Sequence, residues 1–325
     1  MNGELFPGFK RRRIRTSGAA INLVHGGVGP PLLLLHGYPQ THAIWHRVAP
    51  ELAKRFRVVA ADLRGYGDSE KPHGLPDHAN YSKRAMARDQ VEAMRALGHE
   101  TFFVVGHDRG GRVAHRMALD HPASVTKLAV LDIVPTRKMY ASVSREFAKA
   151  YYHWFFLLRP EPIPETLIGA NPDFYIESHM GTRHAGLKAF APEALAEYRR
   201  CFRDPATIHA SCEDYRAAES IDLAHDEADI DRKVVAPLLV LWGKHGTVAR
   251  CFSPLADWAE RAETVQGRTL DCGHYIPEEA PVELLGSSKN FCREPPRNAV
   301  GLRSLPNSGD NGVHRGADSG WPTKR

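Results

Sequence analysis

A chain of 325 residues that is 42% hydrophobic and 25% charged has enough apolar material for a sizeable core, in one large domain or two ordinary ones. Its net charge of +5 hints at nucleic acid. Residues 286–325, however, carry seven Lys/Arg against three Asp/Glu, and the near-neutral remainder has no electrostatic footprint for a phosphate backbone. No apolar run approaches the length of a membrane span, and Met1-Asn2-Gly3-Glu4-Leu5-Phe6-Pro7 lacks the apolar segment of a signal peptide. The expectation is a cytoplasmic protein with neither a membrane nor a nucleic-acid partner. Cys201, Cys212, Cys251, Cys272 and Cys292 are odd in number and form no Cys-x-x-Cys pair, which suits free thiols better than disulfides or a zinc site. No cofactor or metal is expected.

Taken in order, the basic run Lys10–Arg13 reads as a solvated edge, and Ile14–Val24 as early pairing strands. Leu32-Leu33-Leu34-Leu35 is a buried strand ending at His36-Gly37-Tyr38-Pro39, where a glycine lets the backbone turn and leaves amide N–H groups pointing outward. A helical stretch from Trp45 to Lys54 precedes the strand Phe56–Ala61 and the loop Asp62-Leu63-Arg64-Gly65-Tyr66-Gly67-Asp68-Ser69. Helical spacing over Tyr81–Leu97 leads to the strand Phe102–Val105, a glycine turn and the helix Arg112–Leu119, followed by the strand Lys127–Leu131. Such alternation predicts an α/β fold with a mostly parallel sheet covered on both faces, and places ligand chemistry at the carboxyl ends of the strands.

From Arg137 to Ala224 no buried strand is visible, only helix-compatible segments such as Val143–Leu158 and Pro192–Phe202. Strands resume at Pro237–Gly243 and Thr264–Leu270. The expected organisation is therefore a core of residues 1–136 and 225–285, an inserted helical cap at 137–224, and a tail at 286–325. Gly286-Ser287-Ser288 is expected to break the last helix, and the Gly/Pro/Ser/Asn/Arg-rich remainder to be disordered.

The chemistry centres on Gly106-His107-Asp108-Arg109-Gly110. Between a buried strand and a helix, two glycines flanking three residues, the middle one reactive, form the strained turn that holds a nucleophile clear of a sheet. The residue at that apex is Asp108. An ionised carboxylate needs no base to activate it, and it attacks saturated carbons that carry a leaving group, forming an ester. That ester must be hydrolysed by activated water. His274, in Asp271-Cys272-Gly273-His274, occupies the last place in the order nucleophile, acid, histidine. The loop after Trp242-Gly243 contains no acid, which leaves Asp132, after the preceding strand, to orient His274. Arg109 and Arg112 stand beside the nucleophile, and their planar forks suit a substrate carboxylate.

Residues 5 to about 285 resemble the haloacetate dehalogenases, including the fluoroacetate dehalogenases, of the α/β-hydrolase superfamily. The resemblance rests on His36-Gly37-Tyr38-Pro39-Gln40, Asp62 to Ser69, Gly106 to Arg112, Asp132-Ile133-Val134-Pro135-Thr136, His153-Trp154, Asp214-Tyr215-Arg216-Ala217 and Gly273-His274. It implies the α/β-hydrolase fold, with Asp108 as nucleophile, His274 as base and Asp132 as its partner. It further implies Arg109 and Arg112 on the carboxylate of a short haloacid, and His153, Trp154 and Tyr215 around the departing halide. The backbone N–H groups of Tyr38 and Arg109 would hold the oxyanion. Homodimers are common in that family, though no residue in the chain demonstrates one. Epoxide hydrolases share the Asp nucleophile and the His-Gly-x-Pro loop, but commonly have a tryptophan after the nucleophile and use two cap tyrosines. A non-catalytic binding protein on the same fold would be expected to have lost part of the Asp108, Asp132, His274 set. One departure stands out: Ser178–Phe190, with Gly181-Thr182-Arg183-His184, lacks the family's usual bulky aromatic character, which leaves substrate size and preferred halogen open.

Overall fold

The computed structural model describes residues 5–293. Eight strands form one sheet: β1 (Lys10–Arg15), β2 (Ala20–Gly26), β3 (Pro31–Leu35), β4 (Arg57–Ala61), β5 (Phe102–His107), β6 (Val125–Leu131), β7 (Leu238–Gly243) and β8 (Val265–Leu270). Their spatial order is β1-β2-β4-β3-β5-β6-β7-β8. The first two strands pair antiparallel with each other, and β2 is antiparallel to β4; every other pairing is parallel. Central strands of such a sheet are covered on both faces, which is why β3 is a continuous leucine run and Leu32 to Leu35 are all buried. At the sheet's edge, β1 exposes Lys10 to Arg13, charges that discourage another strand from pairing there.

The helices that position the site are α1 (Lys83–Ala96), α2 (Arg109–Asp120), α3 (Tyr152–Phe156), α4 (Pro205–Glu219) and the terminal α5 (Pro281–Arg293). Between β6 and β7 the described chain is helical, from Thr136 through Ala228. The helix Ile221–Ala228 runs across the expected boundary at 224. The stretch Val143–Leu158, expected as one helix, is two short ones, Arg145–Ala150 and α3, separated by Tyr151 at φ −115° and ψ 38°.

The expected helix break at Gly286 does not occur. Helix α5 passes through it to Arg293, held by the burial of Leu284, Ser288 and Phe291 on one face and by Lys127 Nζ donating 2.6 Å to the Phe291 carbonyl. Tertiary anchoring overrides the weak local propensity. The proposed disorder beyond this helix, at 294–325, lies outside the described residues.

Gly286 is an exposed helical position where an added Cβ would meet no atom within 4 Å. Gly286→Ala is therefore expected to stabilise the protein by about 0.5–1 kcal/mol. A thermal melt should show the midpoint rising by about 1–3 °C.

Candidate active site

The turn after β5 places Asp108 at φ 46° and ψ −115°, a backbone conformation that L residues rarely adopt. Close packing around it requires the neighbouring glycines. A Cβ on Gly110 would lie 2.4 Å from the His36 carbonyl oxygen, and one on Gly37 would lie 2.4 Å from Asp108 Cβ. The loop after β3 is fixed from the other side by His36, whose Nδ1 donates to the Gly37 carbonyl at 3.0 Å and whose Nε2 accepts from the Leu63 N–H at 3.0 Å. As a result the Tyr38 N–H donates to Asp108 Oδ2 at 3.0 Å.

Asp108 is 7% exposed. Burial alone would push its carboxyl pKa up, but His274, His107, Arg112 and Arg109 outweigh that penalty and hold it at about 2. The group is therefore an ionised carboxylate throughout the neutral range. Its neighbour His107 is pushed down to about 3, chiefly by burial and then by His274. It is neutral, with Nε2 donating to the His274 carbonyl at 2.8 Å.

The histidine and acid picked out in the sequence meet. His274 Nδ1 lies 2.6 Å from Asp132 Oδ2, and the Gly243 N–H donates to Asp132 Oδ1 at 3.0 Å. Asp132, at φ 53°, follows β6 directly. Both oxygens of the acid are thus occupied, one by the imidazole and one by the end of β7. With Nδ1 turned to Asp132, Nε2 is the ring nitrogen left to accept a proton. Among the described residues, no trio of ligating side chains suited to a metal includes Asp108, Asp132 or His274.

Both predicted arginines are buried beside Asp108, but neither presents an open fork. Arg109 donates through Nε and Nη2 to the Asp214 carboxylate at 2.9 and 2.7 Å, and again to the Asp214 carbonyl at 2.6 Å. Its guanidinium also lies 4.2 Å from the Tyr215 ring centroid. Arg112 donates through Nη1 to Thr136 Oγ1 at 2.9 Å and to the Val134 carbonyl at 3.2 Å, and lies 4.9 Å from the Trp154 ring centroid. Most of each guanidinium is thus committed to protein partners. On these two side chains, Arg109 Nη1 and Arg112 Nε are buried with no hydrogen-bond partner among the described residues.

The three aromatic side chains assigned to a halide converge on the same region from the cap. His153, on α3, stacks on Tyr38 at 5.9 Å and meets Tyr215, on α4, at 5.7 Å; the Trp154 and Tyr215 rings are 6.1 Å apart. His153 Nδ1 and the Tyr215 hydroxyl are also buried without a hydrogen-bond partner among the described residues. With Arg109 Nη1 and Arg112 Nε they make four buried polar atoms on adjoining side chains that are available to pair with a bound molecule.

The sequence alone gives Asp214 no role, although it opens the run Asp214-Tyr215-Arg216-Ala217. Besides Arg109, this carboxylate accepts from the Tyr66 hydroxyl at 2.7 Å and from Lys83 on α1. Its pKa is held far below the usual range: burial raises it, and Arg109 and Lys83 more than reverse that. The sequence likewise gives no role to Arg183, within Ser178–Phe190. Its guanidinium lies 4.7 Å from the Tyr151 ring centroid, and it lines, with Lys149, Arg250, His179 and His274, a cleft of about 490 Å³. Arg250 is paired with Glu146 at 2.7 Å, but no carboxylate is among the described residues lining the cleft. The described lining of the cleft is electropositive.

Asp214→Asn keeps the shape but strands two buried cations, so it should cost about 3–5 kcal/mol of stability. Denaturant unfolding measures this, and a change below about 1 kcal/mol would show that solvent reaches the pair.

Comparisons with known proteins give the chain's family. The α/β hydrolase fold family matches over residues 30–281. The fluoroacetate dehalogenase of Burkholderia sp is 52% identical over 288 residues, covering 88% of this chain and 95% of that protein. The soluble epoxide hydrolase of Corynebacterium sp. (strain C12) is 34% identical over 281 residues, covering 85% and 94%. Among solved structures, an α/β hydrolase from Nostoc sp PCC 7120 is 59% identical with a TM-score of 0.85, covering 88% of this chain and 98% of that one. The described residues contain no helix long and apolar enough to cross a membrane. By the match over most of its length and by its fold, the chain belongs to the α/β-hydrolase superfamily and, within it, to the haloacetate/fluoroacetate dehalogenase family.

Proposed function

We propose that the protein hydrolyses haloacetates, fluoroacetate or chloroacetate, to glycolate and halide through an ester on Asp108. One observation carries the reading: an ionised, buried carboxylate sits among four unpartnered polar atoms of Arg109, Arg112, His153 and Tyr215. The 52% identity to a fluoroacetate dehalogenase supports it.

The arrangement suggests the order of events. Tyr38 N–H occupies Oδ2, so Oδ1 is the oxygen free to attack the α-carbon. The new C–O bond forms as the carbon–halogen bond breaks, and the halide leaves with the electron pair. Arg109 Nη1 and Arg112 Nε each offer one contact to the substrate carboxylate, placing the α-carbon over Asp108. His153, Trp154 and Tyr215 receive the charge that develops on the halogen. Each hydrogen bond to a charged group is worth about 1.5–3 kcal/mol, so two or three made only as the halide departs lower the barrier substantially.

In the second step His274 Nε2 takes a proton from water, and Asp132 stabilises the imidazolium. Hydroxide adds to the ester carbonyl, whose oxyanion forms on Oδ2 against the Tyr38 N–H and the Arg109 N–H. Collapse breaks the bond from the acyl carbon to the glycolate oxygen, and the imidazolium returns the proton. Oxygen from water thus enters the Asp108 carboxylate first. In a single turnover in ¹⁸O-water the label should appear in Asp108, and label passing straight into glycolate would refute the ester. Asp108→Asn should lower halide release by roughly three orders of magnitude or more, read with a halide electrode.

Epoxide opening is the competing reading, favoured by the 34% identical epoxide hydrolase and by the unpartnered Tyr215 hydroxyl. A neutral epoxide, however, leaves Arg109 and Arg112 without a charge to bind. Fluoroacetate, chloroacetate and styrene oxide compared side by side discriminate the two, and turnover of the epoxide alone would reverse the ranking. The electropositive cleft adds a further expectation, that anionic substrate is drawn in by its field. Lys149→Glu should reduce kcat/KM for haloacetate by about 3–10-fold, leave kcat within about twofold, and flatten the dependence of kcat/KM on salt.

A further inference from the structure

We propose that His73, Glu161 and His209 form a binding site for a divalent transition-metal ion of the zinc type, pinning a loop of the sheet domain to the helical cap. The three residues come from the loop between β4 and α1, the turn before the helix Ile163–Gly169, and α4. Their ligand atoms all lie within 4.8 Å of one another. A tetrahedral zinc with bonds near 2.1 Å needs donor atoms about 3.4 Å apart. Small rotations of His73 and Glu161, both exposed, close that difference.

The hydrogen bonding around His73 is of the kind that prepares histidine for a metal. His73 Nδ1 lies 3.0 Å from the Gly74 carbonyl oxygen, which can only accept, so the ring donates there and keeps the lone pair of Nε2. Metal-bound histidines characteristically donate their second nitrogen to a carbonyl or carboxylate in this way. On His209, Nδ1 is the nitrogen that faces Glu161, at 3.9 Å from Oε2, and a metal bound there takes the place of its 3.3 Å contact with Glu165 Oε1. The rings stand 4.9 Å apart, tilted by 40°. Two imidazoles with one carboxylate select zinc, nickel or copper over magnesium or calcium.

The surroundings favour a cation. The cavity of about 470 Å³ that holds these residues also contains Glu213, Glu219 and Arg216. Arg216 is occupied by Glu165 and Glu213, each at 2.8 Å. Since residues 73, 161 and 209 are far apart in the chain, no spacing motif announces the site, and none of them belongs to the Asp108 centre.

The test is calorimetric titration of zinc chloride into the full chain after metal stripping. The expected result is one site of micromolar affinity, weakened at least about tenfold by His73→Ala and by His209→Ala, and severalfold by Glu161→Gln. His245→Ala, at the separate stacked pair of His184 and His245, should leave it unchanged. Zinc at about a hundred times Kd should raise Tm by about 5 °C in the wild type and not in His73→Ala. His73 is exposed, so its variant tests the site even if His209→Ala folds poorly. Unaltered zinc binding in both histidine variants, or its loss in His245→Ala instead, would overturn the proposal.

Discussion

The constraint on which the rest depends is that Asp108 must be ionised while almost out of water. A lone buried carboxylate would take up a proton instead. Here the Tyr38 N–H, two arginines and the start of α2 replace the lost hydration. Those arginines are themselves too deep to stand alone, so Arg109 requires Asp214, and Asp214 in turn holds Lys83, which also lies 3.5 Å from Asp222. A chain of alternating charge therefore runs from the elbow through the cap helix α4 to α1. The carboxylate at one end is only as well defined as the pairings behind it.

This chain also explains how labour is divided between sheet and cap. Asp108, Asp132 and His274 follow β5, β6 and β8, where parallel strands end together on one edge of the sheet. The groups that would recognise a substrate, His153, Trp154 and Tyr215, come from cap helices α3 and α4. Because Asp214 and Tyr215 are consecutive on α4, the turn of cap that anchors Arg109 also delivers the tyrosine over its guanidinium. Moving the cap would therefore disturb the carboxylate's counter-charge as well as the pocket.

The sheet was legible in the sequence because buried parallel strands are near-continuous apolar runs such as Leu32–Leu35. The elbow was legible because its glycines are sterically required. The meeting of Asp132 with His274 could be inferred from chain order, since parallel strands bring their ends together. Asp214 could not be weighted, because a carboxylate on a helix reads as solvent-facing until the fold buries it against Arg109 and Lys83. Gly286 misled for a related reason: local propensity points to a break, while Phe291 and its bond from Lys127 come from the far side of the core. Arg183 lies in Ser178–Phe190, a segment that carries no motif. Its place in the electropositive cleft follows from the path of the cap, which no periodicity encodes.

The four unpaired polar atoms carry a further consequence. A buried donor or acceptor left without any partner costs about 1–3 kcal/mol, so whatever fills the site, water or ligand, is held by these groups. Filling those positions with internal partners would leave a site with nothing to offer. Arg109 and Arg112 show how far that filling can go: every nitrogen but one on each already has a partner or ring contact that fixes the plane of the guanidinium. Under the proposed reaction the remaining nitrogen is the useful one because the others are committed. A rigid donor pays no ordering entropy when the substrate carboxylate arrives, and it cannot turn away as charge moves from Asp108 to the halide.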